Sequence, residues 1–391
     1  MFQVTFFMLP ILLMFGVAVQ GLGVLILGLI LPVIFLKIDK PKPLRMLSLS
    51  LFSFYLIPMI FNWIHGSSFR AFNPMSLSVS VFGFFIFIKS FFPAPWLLKN
   101  SVGFPESESF IKGVLVASIL FLIPASIQLI WGLNLKGGVL LSQEIMPSGF
   151  YRVRGWYGHP LSLGCVSLAI YLFFLARSLQ TSLSRLHLGI IASQFLMISM
   201  SGSRSILVIA LLLTFILVLM RRSWKIVWLI LGMSVVGYIT GLYVKLIDSF
   251  TRFYEQGIFD ASDLRSVIWK VYVDMWRDSP WFGHGFVQVK ETVRQLHAQN
   301  YGLTHSFSAH NQYLEILAGS GIVGLVLFAI ASVFLFIQII ALNRTFAFPF
   351  LFAVSGNLLV GFVQNAFFDT SVTYIYLGLL SFMIFTKPKK S

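Results

Sequence analysis

The chain has 391 residues, of which 58% are hydrophobic and only 10% are charged, and its formal net charge is +15. Soluble domains carry about 25% charged residues, so this composition excludes a soluble globular protein. The Lys and Arg residues stand in short clusters between apolar runs, which is the pattern of membrane topology rather than of nucleic-acid binding. We therefore predict an all-α, polytopic membrane protein. The single cysteine, Cys165, excludes a disulfide within the chain.

The first half of the sequence predicts six membrane spans. Its opening apolar run is too long for one helix of about 20 residues, so we predict a helical hairpin there. A basic loop, Lys37 to Arg45, follows it and is expected to be cytoplasmic. The predicted spans are the hairpin at 2–36, then 46–65, 75–93 and 111–131, and a sixth that opens at Pro160.

The second half predicts six more spans around one long polar segment. The seventh span ends in the polar stretch SMSGSRS, Ser199 to Ser205. The eighth span is predicted to end at Arg221, and the ninth is predicted to cover 226–243. The tenth is predicted to run from near His310 or Ile316 to Asn343. The eleventh is predicted to end near Asn365 and the twelfth at Lys387. With the basic clusters on one side, about twelve spans place both termini in the cytoplasm and the long loop on the opposite side of the membrane.

The long loop predicts an amphipathic helix from Asp263 to Asp278. Leu264, Val267, Ile268, Val271 and Met275 recur at helical spacing. Its Trp and Tyr residues are typical of the membrane–water interface, which would hold Arg265 at headgroup level. Pairing of Arg265 with a neighbouring acid, as an ordinary surface ion pair, is an equal alternative.

Two histidines of the loop have different contexts. Gly283-His284-Gly285 predicts a tight turn, in which His284 is a turn residue. Ser308-Ala309-His310-Asn311 predicts a helix start capped by Ser308. The positive end of the helix dipole favours a neutral imidazole at His310, which could then act as a general base. A plain polar cap at the end of a span is the alternative.

Several arginines fall on the predicted outer side of the membrane. Arg204 lies in SGSRS, Arg152 and Arg154 lie with His159 in YRVRGWYGHP, and Arg70 lies in a short outer loop. Arginine binds phosphate through two parallel hydrogen bonds and stays charged. Such a set predicts a lipid phosphate or pyrophosphate ligand. No Asp-x-Asp pair, His/Cys/Glu ligand cluster or Gly-rich phosphate loop is present, so we predict neither a metal nor another cofactor.

Four motifs together resemble the O-antigen ligase and O-antigen polymerase superfamily. They are RGWYGHPLSLG, SGSRS, DLRSVIWKVYVDMWRDSPWFGHGF and AHNQYLEILAGSGIVGL, in this order between Arg154 and Leu325. Many relatives carry an acid shortly before the glycine of the last motif, where this chain has Ala318-Gly319-Ser320-Gly321. The resemblance implies N-terminal transmembrane helices at 1–158 and a catalytic region at 159–391, with a periplasmic loop at 246–315.

The resemblance also implies roles for individual residues. Arg204 and Arg265 match the family's pyrophosphate-binding arginines, and His310 matches the proposed base on the acceptor hydroxyl. The implied reaction is a metal-independent, inverting glycosyl transfer from an undecaprenyl-pyrophosphate-linked glycan at the periplasmic face. Further candidates for substrate contacts are Arg154, Arg152, His159, Arg70, His284 and Asn311.

The favoured function is therefore an O-antigen ligase that acts on lipid A core. The first alternative is an O-antigen or exopolysaccharide polymerase that joins lipid-linked repeat units, and a relative that glycosylates protein is another. Two alternatives come from other functional classes. One is a polysaccharide flippase or transporter, which would make no covalent bond. The other is a structural scaffold, which would need none of the three proposed site residues.

Overall fold

A computed structural model describes residues 106–133, 151–180, 184–221, 264–301, 308–342, 344–366 and 369–385, with isolated positions within 7–14, 60–65 and 227–235. This part of the chain is helical and contains no extended strand, which confirms the predicted helical class. The helices are α1 (Glu106–Trp131), α2 (Pro160–Gln180), α3 (Arg185–Met200), α4 (Arg204–Arg221), α5 (Leu264–Asp278), α6 (Phe286–Tyr301), α7 (Gln312–Leu342), α8 (Arg344–Val360) and α9 (Thr370–Phe385).

Three of these helices are long and apolar enough to cross a membrane. They are the segments Glu108–Trp131, Pro160–Gln180 and Gln312–Ala341, and α3, α4, α8 and α9 contain shorter apolar helices. This supports a membrane protein. The predicted span at 75–93, and most of those at 2–36, 46–65 and 226–243, lie outside the described residues. The count of twelve spans, the periplasmic side of the loop and the division at residue 158 stay predictions.

Helix α2 forms the centre of the helical bundle. It packs against α3, α4, α8 and α9, and its most apolar window is 89% buried. A helix that is apolar on every face suits a position with neighbours on every side. Some polar side chains in this interior pair with each other. For example, the Tyr171 hydroxyl lies 2.7 Å from the Thr214 hydroxyl. Such pairing offsets the cost of burying polar groups.

The turn between α3 and α4 places Arg204 at the first position of α4. Gly202 occupies it with a φ of +63°, and its amide donates to the Ser199 carbonyl at 3.1 Å. A positive φ favours glycine because it has no Cβ. The short, serine-rich stretch therefore ends one helix and starts the next within three residues.

Helices α5 and α6 pack against the beginning of α7 and form a second, smaller core. Ile268, Tyr272 and Met275 of α5 are buried there with Val289 and Val293 of α6. The predicted helix at 263–278 is confirmed, and its Tyr272 and Trp269 pack against protein. The place of this helix at the membrane interface stays a prediction. Helix α6 was not predicted, although Phe286, Val289 and Val293 recur at helical spacing.

Helix α7 is broken at Gly321, where the backbone of the turn at 280–285 is inserted. His284 N donates to the Ala318 carbonyl at 2.9 Å and Gly285 N donates to the Gly319 carbonyl at 2.8 Å. In return, Ile322 N donates to the Pro280 carbonyl at 2.8 Å and Val323 N donates to the Trp281 carbonyl at 3.2 Å. The turn thus satisfies the carbonyl and amide groups that a helix break leaves without partners. The predicted turn at 283–285 is present.

We expect Gly321→Ala to destabilise the protein by about 2–4 kcal/mol. Gly321 has a φ of +65°, and a Cβ there would overlap the Trp281 carbonyl group. Thermal unfolding of the purified protein in detergent measures the effect. Gly158→Ala is the matched control, because a Cβ at Gly158 meets nothing within 4 Å. Equal melting temperatures for the two variants would contradict this account of the break.

Candidate active site

His310 lies in the turn that leads into α7 and has a left-handed backbone, with a φ of +46°. Within the described residues it is the one non-glycine residue with a positive φ. Non-glycine residues in this region are uncommon and cluster at functional sites, where the surrounding contacts must hold them.

The cap of α7 is Asn311 rather than Ser308. The Asn311 Oδ1 atom accepts hydrogen bonds from Tyr313 N at 3.0 Å and Leu314 N at 3.1 Å, the pattern of an N-cap. Ser308 Oγ instead accepts from His310 N at 3.4 Å. The prediction that Ser308 caps the helix was therefore wrong, and His310 lies just before the helix instead of in its first turn.

The Glu315 carboxylate supports this turn from within α7. Glu315 is buried, with 8% of its surface exposed, and its Oε1 atom accepts from Ala309 N at 3.0 Å. The same oxygen accepts from Asn365 Nδ2 at 2.6 Å. A buried carboxylate with two donors is far less costly than one without partners. Glu315 thereby joins the residue before His310 to the segment that follows α8.

Two other elements also contact the turn. The indole of Trp269 in α5 donates from Nε1 to the Ala309 carbonyl at 2.7 Å. Gln312 N donates to the Gly361 carbonyl, at the end of α8, at 2.8 Å. Ala309 is thus bonded at both its amide and its carbonyl group. These contacts hold the residues on either side of His310 and stabilise its left-handed backbone.

The imidazole of His310 is oriented by Gln364. His310 Nδ1 lies 3.2 Å from Gln364 Oε1, and an amide oxygen can only accept. In a neutral imidazole, this contact places the proton on Nδ1 and the lone pair on Nε2. This is the tautomer that a general base acting through Nε2 requires.

Arg152 and Arg154 lie beside the turn that precedes Arg204. Arg152 Nε donates to the Ser201 carbonyl at 2.8 Å, and Val153 N donates to the Met200 carbonyl at 2.9 Å. The Arg154 amide donates to Gln128 Oε1 of α1 at 2.8 Å. The fold therefore brings together arginines from two motifs that are about 50 residues apart in the sequence.

Residues 361–366 and Asp369, which follow α8, contact both of these groups of residues. Gln364 contacts His310 at one point, and farther along Asp369 accepts hydrogen bonds from the Ser162 hydroxyl and from Ser371 N. Ser162 lies in the first turn of α2, directly after the segment that carries Arg152 and Arg154. The histidine turn and the arginine segment therefore lie at the same end of the bundle.

Arg265 is the second residue of α5, and its side chain lies outside the described part of the structure. It precedes Trp269 by one helical turn, which is a rise of about 6 Å. Because Trp269 bonds the residue next to His310, the backbone of Arg265 lies within one turn of the contact between α5 and the histidine turn.

The weaker candidates occupy different places. His284 stabilises the turn at the break of α7, since its Nε2 atom bonds the Met275 carbonyl at 2.8 Å. His159 is exposed at the start of α2, where its Nδ1 atom accepts from Leu161 N at 3.1 Å. Asn311 acts as the cap described above, and Arg70 lies outside the described residues. A substrate role for each of them stays a prediction.

Four residues that shape the site were not predicted from the sequence, although each had a signal there. Glu315 is an acid near the start of an apolar helix, a position where burial requires partners. Gln364, Asn365 and Asp369 form a polar stretch between the last two helices.

No three His, Cys, Asp or Glu residues among the described positions are arranged to hold a metal ion.

Comparison with known families identifies the segment that carries the histidine. The family model described as O-antigen ligase matches residues 188–329. This match confirms the resemblance to the O-antigen ligase superfamily. The matched segment contains Arg204, Arg265 and His310, whereas Gln364 and Asp369 lie beyond it. No curated protein matches the chain.

Proposed function

We propose that the protein is an inner-membrane glycosyltransferase. It would transfer a glycan from undecaprenyl pyrophosphate to an acceptor hydroxyl, acting as an O-antigen ligase on lipid A core. The observation that carries the proposal is the His310 imidazole, held by Gln364 in the tautomer with its lone pair on Nε2. The family match at 188–329 supports transfer of O-antigen in general.

In the proposed reaction, Nε2 of His310 takes the proton of the acceptor hydroxyl. The hydroxyl oxygen attacks the anomeric carbon of the donor sugar, and the bond from that carbon to the pyrophosphate oxygen breaks. The bonding electrons leave with undecaprenyl pyrophosphate, and attack opposite the leaving group inverts the anomeric configuration. Arg204 and Arg265 would stabilise the charge that develops on the pyrophosphate, which allows the reaction without a metal.

The lipopolysaccharide of a deletion strain tests the acceptor. Bare core together with long polymer that stays on the lipid carrier is the result that the ligase proposal predicts. Core that carries a single repeat unit would instead indicate a polymerase. Unchanged lipopolysaccharide would contradict the lipid A core as the acceptor and point to another polysaccharide or to protein.

Gln364 is proposed as a positioning residue for His310. Gln364→Ala removes the acceptor for Nδ1–H, and we expect kcat to fall about tenfold, since the correct tautomer and ring orientation are no longer favoured. Gln364→Glu places a carboxylate beside Nδ1 and favours the charged imidazolium. The acidic limb of the pH–rate profile should therefore move to higher pH.

Rates measured from pH 5 to pH 9 for both variants check this role. Gln288→Glu is the matched control, because Gln288 is exposed on α6 and the same charge change there should leave the profile in place. A profile of Gln364→Glu that superimposes on the wild-type profile would exclude a role for Gln364 at the imidazole.

A further inference from the structure

The break at Gly321 divides α7 into two segments with different surroundings. In the upper segment, 312–320, Gln312, Glu315 and Ala318 are buried against α5 and α8. The lower segment, 322–342, contains no charged residue and exposes an apolar surface. The exposed residues of this surface are Val326, Leu327, Ile330, Val333, Phe334, Ile337 and Ile340.

The length of the lower segment matches a membrane. It contains about 21 residues, which gives a helix about 32 Å long, close to the hydrocarbon thickness of about 30 Å. Adding the upper segment would extend the helix to about 46 Å, which exceeds the hydrocarbon thickness by half. The buried Glu315 lies in the upper segment, which extends beyond the hydrocarbon, so its carboxylate avoids the hydrocarbon. The hydrocarbon boundary therefore falls near Gly321.

Two exposed aromatic residues lie at that level. Trp281 is 64% exposed and Phe282 is 55% exposed. Their height is fixed, because the Pro280 and Trp281 carbonyls accept the first two amides of the lower segment. The pair thus places exposed aromatic surface beside the start of the lower segment. The adjoining α6 exposes charged residues, among them Lys290 and Glu291.

We propose that the turn of Trp281 and Phe282 inserts into the boundary between lipid headgroups and acyl chains. Tryptophan prefers this layer, since its ring is apolar and its N–H group can still meet polar headgroups. The turn anchors the α5–α6 lobe to the bilayer. Because the same turn is bonded into the break of α7, it sets Gln312, the first residue of α7, about 14 Å above the boundary along the axis of the upper segment, and His310 lies just beyond it. This height does not depend on which reaction the site performs.

Spin labels at single cysteines test the proposal. Cys165 is the one native cysteine, so Cys165→Ala provides a clean background. Trp281→Cys is labelled with a nitroxide in nanodiscs of phosphatidylethanolamine and phosphatidylglycerol. Depth is read from collision rates with oxygen and with a water-soluble nickel chelate. Lys290→Cys on α6 provides the aqueous reference and Ile330→Cys on α7 provides the hydrocarbon reference.

The proposal predicts a label at Trp281→Cys within about 5 Å of the boundary, between the two references. A reading equal to that at Lys290→Cys would show that the turn lies in water and would overturn the anchor. A reading as deep as Ile330→Cys would overturn the assignment of the boundary to Gly321. Because depth is measured without substrate, either failure would leave the proposed transfer reaction untouched.

Discussion

His310→Asn should lower glycan transfer by about 10²–10⁴-fold while the protein still folds and inserts into the membrane. Asparagine tolerates a left-handed backbone better than most residues, so it suits the φ of +46° at this position. It cannot take a proton at neutral pH. This variant therefore removes the base without adding the backbone strain of about 1–2 kcal/mol that alanine would bring. Initial rates with a lipid-linked donor and lipid A core measure the loss.

Two comparisons separate chemistry from folding for His310. His310→Gly also permits the positive φ and should be as inactive as the asparagine variant, with normal expression. His297→Ala, in α6, changes a histidine that the proposed reaction does not use and should keep the wild-type rate. Near-normal turnover of His310→Asn would contradict the general-base role.

Arg265→Lys should recover little of the activity lost in Arg265→Ala, and both should fall by about 10²–10³-fold. Lysine keeps the positive charge but lacks the planar pair of N–H groups that binds two pyrophosphate oxygens at once. Arg204→Lys is expected to behave in the same way, because in the proposed reaction both arginines bind the same leaving group. The rates of these variants at saturating donor and acceptor provide the measurement.

Arg277→Ala is the matched control for Arg265, because it lies on the same helix at its other end. Arg277 is 71% exposed and pairs with Asp274 at 3.5 Å. An exposed pair of this kind contributes about 0–1 kcal/mol, so the variant should remain active. An active Arg265→Lys enzyme, or an equal loss in Arg277→Ala, would argue against bidentate recognition of pyrophosphate by Arg265.

The helical architecture could be predicted because its signal is local. Apolar runs of membrane length predicted α1, α2 and α7, and helical periodicity predicted α5. A local pattern cannot show whether an amphipathic face packs against lipid or against protein. The pattern placed Tyr272 at a lipid interface, whereas in the fold Tyr272 packs against α6 and α7, and burial raises the pKa of its hydroxyl. The break at Gly321 also depends on a turn from another part of the chain.

The candidate site was only partly accessible to sequence reasoning. Motifs predicted His310 and Arg204, since both stand in polar stretches at the ends of apolar helices. The contacts that orient His310 come from Trp269 and Gln364, which lie about 40 and 54 residues away. The left-handed backbone of His310 had no sequence signal, because it arises from these tertiary contacts. For the same reason, the sequence did not show that Asn311 rather than Ser308 caps α7.

Transfer by the purified protein in nanodiscs, in the presence of EDTA, tests the central proposal most directly. Donor linked to undecaprenyl pyrophosphate and lipid A core are added, and product and released undecaprenyl pyrophosphate are quantified together. The proposal predicts equal amounts of both with the wild-type protein, no loss in EDTA, and neither product with His310→Asn. Strong inhibition that Mg²⁺ reverses, or donor that remains intact while the wild-type protein is folded, would contradict a metal-independent glycosyltransferase.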